Sequence, residues 1–412
     1  MRYVLQETVA LIRQAEQDAA PVFKRIDETA LANHQRVLRA FHEVRVSEFH
    51  FRPSTGYGYD DPGREVLDRV WARAFGAEAA LVRLQIVSGT HALAAALYGV
   101  CRPGDEILSL GRPYDTLARV IGIDEQVPGS LRDFGVGYRE APLSAPEIDV
   151  DLILSLVGPR TKILYLQRSQ GYAWRPGLSI KMMGDLIGAV KKRFPEIVVV
   201  VDNCYGEFVE ADEPPSVGAD LTCGSLIKNP GGGLAPTGGY IAGRKDLVLL
   251  AAGRLTAPGL AGKVGCNPHG YRLLFQGLYL APHFVAEALK GAVLAARLME
   301  MLGYKVSPRF DDDRTDIVQA IRLGSPEKVL AFCRGIQRAS PVDAHVVPEA
   351  GDLPGYSGGV VMAAGTFVQG ASLEMTADAP LREPYAVYFQ GGLSLAYTKI
   401  GLGFALRKLM EM

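Results

Sequence analysis

Three short stretches of the chain hold residue types that could do chemistry together. "EIVVVVDNCYGEF" delivers Asp202 at the end of a continuous apolar run. "GSLIKNPGGG" places Lys228 where another apolar run gives way to Asn-Pro and three glycines. "SGTHA" puts Ser88, Gly89 and Thr90 at a turn that opens a helical segment. Each has an ordinary explanation alone: aspartates close turns, serines cap helices, and lysines decorate surfaces. Together they offer a carboxylate, an amine and an anion cradle, because a helix start presents free N–H groups and a positive dipole end. That set suits pyridoxal 5′-phosphate. The lysine would carry its aldehyde as a Schiff base, the carboxylate would keep the pyridine nitrogen protonated, and the helix start would take the phosphate. A lysine used in this way is expected to be desolvated, which lowers an amine pKa.

The elements that must position these groups can be read from pattern. "AALVRLQIV", "EILSL", "TKILYLQ", "EIVVVVDN" and "ADLTCGSLIKN" read as strands, and "SGTHALAAALYGV", "YDTLARVIG" and "IKMMGDLIGAVKKRF" read as helices between them. Fully apolar strands alternating with helices predict a mostly parallel sheet covered on both faces, with ligands bound at the carboxyl ends of the strands. Asp202 and Lys228 would then share one crevice. Residues from Arg2 to about His50 read as helices, and "EVLDRVWARAFG" as a helix stopped by Gly76. After the long helical stretch that ends near Gly303 the pattern changes. "DIVQAIRL", "VVMAAGTFVQGASLEM" and "YAVYFQGG" read as successive strands, with helices set apart, which suggests a smaller α+β unit. The expected divisions are an N-terminal helical arm at 1–55, a cofactor domain at 56–285 and a small domain at 286–412.

Composition narrows the function classes. With 48% hydrophobic residues, 22% charged residues and a formal net charge of −1, the chain is ordinary globular protein with no basic run for nucleic acid. "SGTHA" matches neither the dinucleotide fingerprint nor the nucleotide P-loop. The five cysteines lack any C-x-x-C pair and the seven histidines show no ligand spacing, so neither a metal site nor a disulfide framework is expected. No signal peptide or membrane-length apolar run is evident, and a soluble cytoplasmic protein is the expectation.

The stretches "GYGYDDPGRE", "VSGTHA", "VDNCYGEF", "GSLIKNPGGGLAPTGGYIAG" and "FQGGLSLAYTKIGL" resemble the aluminium-resistance or methionine γ-lyase-like family of pyridoxal-phosphate proteins. That family belongs to the cystathionine/methionine-metabolism group of fold-type I enzymes, and the resemblance runs from about Gly56 to Gly403. It implies an α/β fold with a large cofactor domain and a small C-terminal domain, assembled as a homotetramer of tight dimers. It implies Lys228 as the Schiff-base lysine, Asp202 as the partner of the pyridine nitrogen, and Ser88, Gly89, Thr90 and Ser225 as the phosphate cup. Tyr114 takes the place of the tyrosine that stacks on the ring and helps protonate the leaving group. Tyr57 and Tyr59 lie in a loop that in relatives reaches the neighbouring subunit's phosphate.

Two departures concern the substrate. Ile227 stands where γ-lyases carry threonine before the lysine, and their C-terminal carboxylate-binding arginine has no clear counterpart in "FQGGLSLAYTKIGL". Arg382 is the substitute for that arginine, since a guanidinium suits a carboxylate. Arg168 and Gln167, at a strand end, are placed against the cofactor's phenolic oxygen or the substrate, and His91 near the ring. The expected activity is carbon–sulfur bond cleavage in a sulfur-containing amino acid, of cystathionine β-lyase or methionine γ-lyase type. The alternatives are γ-replacement, transamination or racemisation on the same cofactor, or a cofactor-binding stress-resistance protein without strong lyase activity.

Overall fold

The computed structural model describes residues 6–58, 60–125, 127–143, 148–352 and 359–412. Tyr59 therefore lies outside the described residues. The first seven strands form one sheet: β1 (Ala79–Arg83), β2 (Glu106–Leu110), β3 (Gly137–Ala141), β4 (Thr161–Gln167), β5 (Val198–Asp202), β6 (Leu221–Ser225) and β7 (Gly239–Gly243). Their spatial order is β1-β7-β6-β5-β4-β2-β3. Strands β2 to β6 run parallel, and β7 is antiparallel to both of its neighbours. The carboxyl ends of β1, β2, β4, β5 and β6 consequently share one edge.

The central strands are apolar on both faces because both faces are covered. Val198 to Val201 are buried, with Val198 and Val200 packed in one core and Val199 and Val201 in another. Burying each such side chain contributes roughly 1.5–3 kcal/mol. Edge strand β3, "GYREA", is half-exposed and polar, so it lacks the apolar signal that marks its neighbours.

A second sheet follows: β8 (Lys305–Ser307), β9 (Val318–Arg322), β10 (Ala350–Gly351), β11 (Val360–Ala363), β12 (Thr376–Pro380) and β13 (Ala386–Gln390). It is antiparallel throughout, in the order β10-β11-β12-β13-β9-β8. One face packs on the helices Pro326–Ala339 and Leu395–Met410 through Ile321, Ala377, Ala379, Val387 and Phe389. The other face carries Val318, Ala320, Ala386 and Tyr388, and is covered by Tyr172 and Tyr205 from the first sheet's loops.

Three local readings are corrected. The N-terminal region is one 39-residue helix, Gln6–Val44, not several. Its buried positions Ile12, Ala15, Ala19, Val22, Ala30, Val37 and Ala40 recur at helical spacing and pack on the 30-residue helix Arg272–Met301. The strand read over "AALVRLQIV" ends at Arg83, where the chain turns toward the next helix. The strand read over "VVMAAGTFVQGASLEM" is confined to Val360–Ala363, and the true partner strand is "TADAP", whose Thr, Asp and Pro disguise it. No helix among the described residues is long and apolar enough to cross a membrane.

Candidate active site

A cavity of about 380 Å³ opens at the shared strand edge, lined among others by Ser88, Gly89, Thr90, Tyr114, Gln167, Asp202, Cys204, Tyr205, Ser225, Lys228 and Arg382. Each side chain arrives there for a local reason. Asp202 is the last residue of β5, paired in register with Gln167 of β4 and Cys223 of β6. Ser225 ends β6. Ser88 caps the helix Gly89–Val100, its Oγ accepting from the His91 N–H at 3.1 Å. The backbone at Gly89 must pass close to its neighbours, since a Cβ there would lie 3.1 Å from Cys204 Sγ and 3.4 Å from Ser225 Cβ. The glycine keeps the cradle open.

Lys228 stands three residues beyond β6, in a tight turn in which the Gly231 N–H donates to the Lys228 carbonyl at 3.2 Å. Gly231 follows because no side chain fits: its Cβ would lie 1.7 Å from the Leu226 carbonyl oxygen. Asn229 anchors the turn from below, donating through Nδ2 to the carbonyls of Tyr205 (2.9 Å) and Glu207 (3.0 Å). Lys228 Nζ lies 3.5 Å from the centroid of the Tyr205 ring. A desolvated contact of this kind is worth about 2 kcal/mol or more.

The electrostatics differ from the sequence expectation at the lysine. Burial alone would push the Lys228 ammonium down, as expected, but Tyr205, Cys204 and Asp202 around it outweigh burial and raise it above the ordinary lysine value. Burial raises the Asp202 carboxyl, against the Cys204 N–H, the Lys228 charge, the Cys204 thiol and the Tyr165 hydroxyl. Burial also raises the Cys204 thiol and the Tyr205 phenol. The Cys204 N–H donates to Asp202 at 3.1 Å, fixing the carboxylate at the cavity floor.

Tyr114 and Thr90, drawn from different elements, meet at 2.8 Å between hydroxyls. The Tyr114 N–H donates to Gln167 Oε1 at 2.9 Å, so Gln167 positions the tyrosine. Ile227 and Arg382 also line the cavity, and Arg382 is exposed at its mouth. Tyr57 is 76% exposed and outside the cavity of this chain. His91 is not in the lining; its Nδ1 accepts from the Val87 N–H at 3.2 Å, within the helix cap.

Arg168, expected at the cofactor or substrate, does not reach the cavity. It is fully buried behind the sheet edge, where its guanidinium donates to Asn203 Oδ1 and Glu210 Oε2, both at 2.8 Å, and lies 3.5 Å from Glu213. Gln167 faces the cavity, so the next residue of the chain faces away from it. Three other arginines line the cavity: Arg112, ion-paired with Asp124, Arg382, and the half-buried Arg175 in the loop after β4. It donates to the carbonyls of Ser169 (2.7 Å) and Pro176 (3.0 Å), and no ion pair engages it among the described residues. Burial lowers its pKa from the ordinary arginine value. Sequence reasoning missed Arg175, Tyr172, Cys204 and Tyr205. The available signal was their position in loops directly after strands that end at this edge.

The residues present fit pyridoxal phosphate. An anion cradle kept open by Gly89, the Ser225 hydroxyl, a buried carboxylate and a buried amine converge on one cavity of suitable size. Among the described residues there is no cluster able to hold a metal ion.

Comparison with known proteins gives the same picture. The methionine gamma-lyase family profile matches residues 8–410. The uncharacterized protein YnbB of Bacillus subtilis (strain 168) is 48% identical over 97% of this chain and 95% of its own. A structure from Clostridium novyi NT, named a carbon-sulfur lyase involved in aluminum resistance, superposes with a TM-score of 0.94 at 46% identity, covering 98% of this chain and 96% of the other. The pyridoxal-5′-phosphate dependent protein YhfS from Escherichia coli, at 16% identity and a TM-score of 0.62 over 95% of this chain and 97% of its own, shares the fold. That architecture is the fold-type I arrangement expected from the sequence.

Proposed function

The chain belongs to the methionine gamma-lyase family, and from that premise we propose that it is a pyridoxal-phosphate-dependent carbon–sulfur lyase acting on a sulfur-containing amino acid. The observation that carries this reading is the convergence of Lys228, Asp202 and the Ser88–Thr90 helix start on one cavity. When bound, the cofactor supplies an aldehyde that captures amines and a ring that accepts the electron pair released at the substrate's α carbon.

The chain's own residues do the rest. Gly89, Thr90 and Ser225 hold the phosphate, the first through backbone N–H groups at the helix start. Asp202, fixed by the Cys204 N–H, holds a proton at the ring nitrogen. Lys228 Nζ takes the α-proton once it is free of the aldehyde, and the Tyr114 hydroxyl hands a proton to the departing sulfur. Arg175, inside the cavity and without an ion-pair partner among the described residues, orients the substrate carboxylate, with Arg382 at the mouth. In the net reaction the carbon–sulfur bond breaks and a thiol leaves with a proton. Water then releases a 2-oxo acid and ammonia. The same reading carries the homotetramer of tight dimers, in which the exposed Tyr57 loop approaches the neighbouring subunit's site.

Incubating the pyridoxal-phosphate-loaded protein with L-cystathionine and with L-methionine tests this. Formation of pyruvate or 2-oxobutyrate in step with ammonia and a thiol is expected. Recovery of the amino acid, or amino-group transfer without thiol release, contradicts the proposal.

A further inference from the structure

Tyr205 is held in an unusual place by the residues that also hold Lys228. Its φ is +72°, in the left-handed region that a bulky aromatic residue rarely adopts. Two donors pin its carbonyl: Asn229 Nδ2 at 2.9 Å, from the residue directly after Lys228, and the Ile317 N–H at 3.2 Å, from the lead-in to β9. The ring packs on the face of the second sheet that carries Val318, Ala320 and Tyr388. The strained backbone turns its upper face to the Lys228 amine, 3.5 Å from the centroid.

On the same face of the second sheet, on β12 opposite Tyr388, lies Asp378. Its Oδ2 accepts from Tyr172 Oη at 2.6 Å and from Gln390 Nε2 at 2.9 Å, while its Oδ1 is buried with no hydrogen-bond partner among the described residues. Lys228 and Asp378 act on one another across this gap: the Lys228 charge pulls the carboxyl down, while burial, the larger effect, pushes it up to about 6. The titratable groups facing the amine are therefore Asp202 at the end of β5, Cys204 and Tyr205 from the turn after it, and Asp378 from the second sheet.

We propose that Tyr205, with Asp378 on the sheet face it packs against, is the seat that receives Lys228 as an ammonium when an incoming amine displaces it from the cofactor. The proposal rests on the reading of Lys228 as the cofactor-bearing lysine. It gives the second sheet a part in the chemistry. Each turnover displaces the lysine, and the seat holds the displaced ammonium close and in one place until it gives up its proton and, as the neutral amine, can take the α-proton. Displacement balances as an exchange: the incoming amine forms a carbon–nitrogen bond as that of Lys228 breaks, and the proton of the incoming ammonium passes to the lysine. A seat for the charged product favours displacement; its removal favours the bonded lysine.

The test is spectroscopic and needs no turnover. Protein loaded with pyridoxal phosphate is titrated with methylamine and with glycine, and the visible absorbance reports the fraction of lysine displaced. Tyr205→Leu is expected to raise the half-saturating concentration of both amines about tenfold. Tyr205→Phe keeps the ring face and raises it less, and Asp378→Asn raises it about threefold by removing the carboxylate charge. Equal half-saturation in Tyr205→Leu and the unaltered protein overturns the proposal. So does a change confined to glycine, which makes Tyr205 a contact of the substrate carboxylate. If the unaltered protein takes up no pyridoxal phosphate at Lys228, the functional reading itself fails, a result distinct from both.

Discussion

Gln167 and Arg168 are neighbours at the end of β4, and Asp202 and Asn203 are neighbours at the end of β5. In each pair the first residue lines the cavity, and the second joins a closed cluster behind it with Glu210 and Glu213. The two clusters share a backbone and have opposite character. Behind the sheet edge, Arg168 meets Asn203, Glu210 and Glu213, and Glu213 also takes Arg36 at 3.0 Å and the Phe208 N–H at 2.8 Å. In front, Lys228 rests on an aromatic face and Arg175 on two carbonyls, and neither has an ion pair among the described residues. Charges that are paired make structure. Charges left partly paired in a cavity cost stability and are available to a ligand.

Substitutions on the two sides should therefore fail in different ways. Lys228→Ala is expected to lower turnover at least about 10³-fold while leaving the denaturation midpoint nearly unchanged, because it removes the base and the cofactor's attachment point together. Steady-state rates and urea titration of the same preparation check both halves. Arg168→Leu should do the reverse, costing about 3–5 kcal/mol by stranding Glu213 and Glu210. If its cofactor-loaded fraction turns over at the normal rate, the division between front and back holds. Tyr114→Phe should keep the fold and cofactor uptake but slow thiol release about 10²-fold, measured with a thiol reagent.

The smallest effect concerns Glu207, which is buried in the rear region and hydrogen-bonded by Tyr240 Oη at 2.9 Å. Burial, with Glu213 nearby, pushes its carboxyl up to about 8 from an ordinary 4.5. The folded chain thus binds this proton more tightly than the unfolded one. The resulting stability is full below pH ~4.5 and is lost as pH rises through ~8. Glu207→Gln should flatten that decline in urea titrations across this range. An unchanged slope would mean that Glu207 is already ionised in the folded state.

Much of this was legible before the structure. Apolar runs marked β4, β5 and β6, and the groups at their ends, Asp202 and Ser225, reached the cavity because carboxyl ends of parallel strands share an edge. Arg168 was misjudged because a strand end fixes where the backbone stops, while facing alternates with each residue. Arg175 and Tyr205 were invisible for another reason. Their positions depend on loop conformations, including a left-handed tyrosine that no propensity favours. Asp378 was hidden in "TADAP", where Thr, Asp and Pro alternate with the two alanines that pack on the helices and so spoil a strand pattern.

All of this chemistry depends first on Lys228 carrying pyridoxal phosphate. The most direct measurement is the absorbance spectrum of the purified, cofactor-supplied protein before and after borohydride, with mass mapping of the modified peptide. A visible band that reduction abolishes, leaving one phosphopyridoxyl group on Lys228, is expected. A protein that takes up no pyridoxal phosphate, or that fixes it on another lysine, would contradict this role of Lys228.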